Sequence, residues 1–140
     1  MEAARSLGAT KAIQAGDGSE VQEVLAAIDG SGVDVAFEVA GENEAVEAAV
    51  ALVKPGGRVI LTGIPADDRT SFPASVARRK GLTIKLVRRM KFTYPRAIHL
   101  LESGQVDVRS IVTHRFPLEK AQEAFTAAQR REGLKIIIEI

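Results

Sequence analysis

The chain has 140 residues, 46% hydrophobic and 26% charged, with a formal net charge of +1. That length suits one domain with a real core, and the balanced charge gives no global pull toward nucleic acid or membrane. Cysteine is absent, which excludes disulfides and thiolate zinc sites. No apolar run approaches the roughly 20 residues that span a bilayer, and no signal-peptide pattern opens the sequence, so a cytoplasmic protein is expected.

Glu2 to Leu7 reads as the end of a helix, stopped by Gly8. Thr10 to Ile13 suits a short strand. Ser19 is a good N-cap, with Gln22 three residues on as a capping box. Val21, Val24, Leu25 and Ile28 then fall at i, i+3, i+4 and i+7, one helix face. Val33 to Val39 is nearly continuous in apolar residues, the pattern of a strand buried on both faces. A helix begins at Glu42 or Asn43, with Val46, Ala49, Val50 and Val53 inward, and Pro55-Gly56-Gly57 ends it. Arg58 to Thr62 is the next strand, Pro73 to Lys80 a short helix, and Leu82 to Val87 another strand. Thr93 caps a helix through Ser103. Leu118 to Arg131 is a helix with Ala121, Ala124, Phe125 and Ala128 on one face, and Lys135 to Ile140 is a last strand. Alternating strands and helices imply an α/β fold with a parallel sheet.

Strand, helix, turn and strand over residues 33–63 read as the later part of a dinucleotide-binding sheet. The phosphate-cradling Gly-x-Gly-x-x-Gly of such a fold is absent. Gly16-Asp17-Gly18 and Gly30-Ser31-Gly32 lack the third glycine, since Val21 and Val35 stand there, and both read as plain turns. Two histidines far apart, His99 and His114, make no zinc site. His99 reads as a helix-surface or core-edge residue, and His114 as a packing or hydrogen-bonding residue in a loop. No serine sits in a nucleophile elbow, and no catalytic residue is assigned. Arg78-Arg79-Lys80 and Arg88-Arg89-Met90-Lys91 read as solvated element ends or as contacts to phosphate or a polar substrate. Too few aromatic residues interleave them for nucleic-acid stacking. In open α/β sheets ligands bind beyond the carboxyl ends of the strands. That rule points to Leu61-Thr62-Gly63-Ile64-Pro65, flanked by Val39-Ala40-Gly41 and Val87-Arg88.

Several segments carry a resemblance: Phe37-Glu38-Val39-Ala40-Gly41, Lys54-Pro55-Gly56-Gly57-Arg58-Val59, Thr93-Tyr94-Pro95-Arg96-Ala97-Ile98, and Val106-Asp107-Val108 through Val112-Thr113-His114-Arg115-Phe116-Pro117-Leu118-Glu119-Lys120-Ala121. Over essentially all its length the chain resembles the C-terminal part of the zinc-dependent medium-chain alcohol dehydrogenases, in particular their polyol branch of sorbitol and xylitol dehydrogenases. The resemblance implies an incomplete Rossmann-like, doubly wound parallel sheet lacking its first two strands. Residues 1–140 would form a partial dinucleotide-binding domain, with 105–140 returning toward a catalytic domain. It implies that Thr62, Gly63 and Ile64, with Leu86 and Arg88, lie against a nicotinamide. Val39, Ala40 and Glu42 would lie near the adenosine end, and Arg89 near a polyol substrate. Arg88 departs from relatives with an aromatic residue there. The family's zinc ligands, proton relay, glycine loop and ribose-binding acid lie upstream of these residues.

The cofactor implied is NAD or NADP, held weakly or not at all by these residues alone, with zinc bound in the family but no ligands for it here. Three functions compete. The first is the cofactor-domain portion of a polyol dehydrogenase, inactive in isolation. The second is a non-catalytic dimerisation or nucleotide-sensing module. The third is one subunit of a split enzyme completed by an N-terminal chain. With two strands absent, the Thr10 strand should move beside Val33 to Val39, or a second chain should cover that apolar edge. A homodimer through strand edges is expected, with no nucleic acid and no membrane as partner.

Overall fold

The computed structural model describes all 140 residues. In chain order the elements are α1 (Glu2–Ser6), α2 (Glu20–Ala27), β1 (Val33–Glu38), α3 (Asn43–Leu52), β2 (Val53–Leu61), α4 (Ala74–Lys80), β3 (Thr83–Leu86), α5 (Tyr94–Glu102), β4 (Val112–Pro117), α6 (Ala121–Gln129) and β5 (Lys135–Glu139). They sort into two compact units: Lys11–Lys91, and the segments Glu2–Thr10 with Phe92–Ile140.

The first unit is a parallel sheet in the order β1-β2-β3. Parallel neighbours need a crossover, and α3 and α4 supply the two. Val46, Ala49 and Val50 recur at i, i+3 and i+4 on α3, and all three are buried. They pack with Val53, Val59, Leu61 and Ala77 into the core, with Phe72 and Ile84 at its edge. Val50, Val53 and Val59 are fully enclosed, and burying each contributes about 1.5–3 kcal/mol. Val21, Val24, Leu25 and Ile28 are half-buried, and α2 packs on α3.

Four expectations need correction here. Thr10 to Ile13 forms no strand and does not move beside β1, whose outer edge has no neighbour in the sheet. A strand exists only where another offers it hydrogen bonds. Burial of the 33–39 run on both faces also fails. Ala36 packs against the core, but Phe37 is 70% exposed and Val39 71%. The Ser19 capping box does not form: the Ser19 hydroxyl bonds Asp17 Oδ1 (2.7 Å) and Glu23 Oε1 (2.8 Å) instead of the helix backbone. Finally, α3 runs directly into β2, and Pro55-Gly56-Gly57 lies within the strand. Val33 pairs with Val53 and Val35 with Arg58, so Asp34 alone faces residues 54–57. Proline has no N–H for the ladder, and the strand bulges to accommodate it.

In the second unit β4 and β5 pair in parallel, with α6 as their crossover. Strand β4 places His114 in a strand, just after a shift in its register with β5, where the sequence suggests a loop. Its half-buried ring stacks on Phe116, centroids 6.4 Å apart, and its Nδ1 lies 3.0 Å from Thr113 Oγ1. The buried face of α6 is Ala124 and Ala127. Phe125 is 67% exposed and Ala128 is exposed, so neither belongs to the inward face expected of them. Small side chains let the helix lie close on its two strands, which turns the ring outward.

One long-range polar contact fixes the first unit. The half-buried Lys80 ammonium donates to the carbonyls of Val50 (3.2 Å), Ala51 (2.6 Å) and Val53 (2.8 Å). These groups lie at the end of α3, where carbonyls lack partners within the helix and the dipole is negative. Lys80 is thus neither solvated nor free for phosphate, as the basic run had suggested. Hydrogen bonds from a charged donor contribute about 1.5–3 kcal/mol, and Lys80→Met is expected to cost that much in urea unfolding followed by circular dichroism. Exposed Arg79→Met should stay within about 0.5 kcal/mol; equal losses would reject the capping role.

Candidate functional site

The register aligns Glu38 with Leu61 and Leu61 with Leu86, so the three strands end side by side. The chain beyond each end stays tied to its neighbour. Thr62 and Gly63 N–H donate to the Glu38 carbonyl (2.8 and 3.1 Å), and Val87 N–H donates to the Leu61 carbonyl (2.9 Å). A ledge results, with Val39 and Ala40 on one side, Thr62, Gly63 and Ile64 in the middle, and Leu86 on the other. Of these, Val39 (71%), Ile64 (70%) and Leu86 (75%) are highly exposed. Three large apolar side chains are thus left exposed at the strand ends.

Two glycines set the shape. Gly41 has φ +77°, and a Cβ there would stand 2.6 Å from the Ile64 carbonyl oxygen. A Cβ on Gly63 would meet the Gly41 backbone and lie 2.6 Å from Glu38 Oε2. The loops after β1 and β2 therefore touch backbone to backbone, which only glycine permits. Beneath them Glu38, 4% exposed, accepts a 2.6 Å hydrogen bond from Gly41 N–H at Oε1. No role was assigned to Glu38 from the sequence. The sequence signal for Glu38 is an acid at the end of a mostly apolar strand, three residues before a glycine.

The other anticipated residues lie further from this junction. Glu42 holds the N-cap position of α3 with its side chain exposed and unbonded to the helix end. Arg88 folds back on its own turn, Nε donating to the Met90 carbonyl at 3.2 Å. Arg89 is exposed. Nowhere do three or more His, Asp or Glu side chains gather so as to hold a metal ion, and His99 lies exposed on α5. The residues present do not fit zinc. Gly16-Asp17-Gly18 forms a turn in which Asp17 Oδ1 accepts from Ser19 N–H (2.9 Å). These two hydrogen bonds from Ser19, backbone and hydroxyl, hold the Asp17 carboxyl below its ordinary value. No helix is long and apolar enough to cross a membrane.

Comparison with known proteins bears on this geometry. Residues 1–103 match the family model described as zinc-binding dehydrogenase. Sorbitol dehydrogenase of Bos taurus is 36% identical over 137 residues, 96% of this chain and 38% of the relative. An alcohol dehydrogenase from Thermus sp. ATN1 superposes with a TM-score of 0.88 at 30% identity, over 99% of this chain and 40% of that one. An Escherichia coli CFT073 alcohol dehydrogenase solved with NADH shares the fold, with a TM-score of 0.84 at 20% identity over 99% and 41%. The chain spans about 40% of the length of the relatives it matches. With a parallel sheet ending in a glycine-clasped ledge, and a family match over most of its length, the chain belongs to the zinc-binding dehydrogenase family.

Proposed function

We propose that the unit 11–91 supplies the nicotinamide-facing part of an NAD(P) site, within an alcohol or polyol dehydrogenase of the cytoplasm. The observation that carries this is the Gly41–Gly63 contact, which leaves bare backbone at the strand ends between apolar side chains. A flat ring fits such a surface, and the resemblance assigns Thr62, Leu86 and Arg88 to its carboxamide. When bound, the cofactor supplies hydride acceptance from a secondary alcohol. The residues of this chain bind and orient the ring and exclude water from one of its faces. Val39, Ala40 and Glu42 would border the adenosine end, and Arg89 the polyol. Zinc ligation, phosphate anchoring and proton transfer belong to residues that this sequence does not contain, so the chain alone is proposed to be inactive.

The bare outer edge of β1 supports a second element of the reading, that a strand from another chain docks there, either a second copy or a complementing chain.

Two measurements test these proposals. In amide-resolved NMR, NADH and nicotinamide mononucleotide should shift the amides of Thr62, Gly63, Ile64 and Leu86, with a Kd of about 1 mM because no glycine loop holds the phosphates. AMP should leave those four unmoved. An AMP response equal to that of NADH, or no response to either nicotinamide ligand, overturns the cofactor reading. In sedimentation velocity the purified chain should run as a dimer, and a strictly monomeric species up to high micromolar concentration rejects the homodimer.

A further inference from the structure

We infer that Glu38 is the positioning residue of the ledge, and that it acts by the reach of its side chain rather than by its charge. The inference rests on the cofactor reading for its ligand and on geometry for its substance. Glu38 is the one buried polar or charged residue of the chain. Burying a carboxylate is costly unless hydrogen bonds compensate it, so its partners show what it is for. Beyond the strand ladder, they belong to the ledge. Its carbonyl accepts from Thr62 and Gly63 N–H, and its Oε1 accepts from Gly41 N–H at 2.6 Å. Its Oε2 occupies the space where a Cβ on Gly63 would go.

One residue thus holds the loops after β1 and β2 from the same side. The contact is short and spans only Glu38 to Gly41. The side chain turns along its own strand and sets the left-handed residue whose backbone faces Ile64. Removing it frees Gly41 to sample its wide conformational range, and the gap between Gly41 and Gly63 widens. A ring lying across that gap loses the flat support that an ordered ledge provides.

Two substitutions separate reach from charge. Glu38→Gln keeps the length and an acceptor oxygen but loses the charge. Glu38→Asp keeps the charge and withdraws the oxygen by one methylene. The first readout needs no ligand: amide hydrogen exchange at Gly41, Thr62, Gly63 and Ile64. Exchange there should rise about tenfold or more in the Asp variant, relative to Val59 and Ile60 in the same molecule, and stay near wild type in the Gln variant. The second is NADH affinity, expected to fall at least about fivefold for Asp and less than about threefold for Gln. Lys80→Met serves as the control for stability alone, since it loosens the end of α3 away from the ledge; it should leave the ledge amides and the affinity unchanged below its melting temperature.

If Asp is tolerated and Gln is not, charge governs and the inference is wrong. It is equally overturned if ledge exchange tracks global stability in all three variants. Should wild type show no NADH response while the exchange pattern holds, the cofactor reading fails and the positioning role stands. Should NADH bind and neither Glu38 variant alter it, the reverse follows.

Discussion

The contact between Gly41 and Gly63 is the constraint on which the carboxyl edge of the first unit's sheet depends. Parallel strands end with their carbonyls and the following amides pointing into open space, and something must decide how the emerging chain turns. Here each turn is decided by the other. Gly41 adopts a left-handed conformation that no β-branched residue tolerates, and Gly63 yields the space its Cβ would fill. The result is a surface made of backbone, with side chains pushed to its margins.

The core behind the ledge works on a different principle. Val50, Val53 and Val59 are stiff at χ1 and fully enclosed, and they leave α3 little freedom to slide. Because α3 passes into β2 without a loop, the position of the helix and the register of the strand are one variable. Lys80 then fastens α4 to the same junction. Helix, crossover and the start of the strand are thus located together at Val53.

Much of this was legible in the sequence, and the failures have physical causes. The strands at 33–38 and 83–86 and the helices at 43–52 and 74–80 show as apolar runs or stripes bounded by glycine and proline. The ledge at 62–64 was found by the general rule for parallel sheets, since Gly63 follows an apolar strand. Thr10 to Ile13 has strand-like composition, but pairing is a property of two segments. Strand β4 is hard to read because Thr113, His114 and Arg115 are polar; its alternation of Val112, His114 and Phe116 is visible only if histidine counts as an inward residue. The period of α6 points Phe125 inward because periodicity cannot tell which side of an alanine-rich stripe meets the sheet. Lys80 hid in a run of cations that normally signals solvent, and Glu38 in a strand whose other residues are mostly apolar. Both are single polar groups with backbone partners, and such partners lie in no motif.

Strand β1 carries two acids, and each is engaged within the chain. Glu38 turns in to Gly41, and Asp34 pairs with Lys54 at 2.6 Å, whose hydrogen bond and charge hold the Asp34 carboxyl below its ordinary value. Exposed strand edges are commonly protected by charges that repel a second strand, and this one has its charges occupied. Because the Asp34 pKa is lowered, the pair persists into mildly acidic solution, so acidification restores little of the missing repulsion until Asp34 is protonated and Lys54 is left as a free cation. Protection of this edge by charge therefore hangs on one solvent-exposed ion pair remote from the ledge, and salt, which screens Lys54 and Asp34 alike, weakens that pair without adding repulsion.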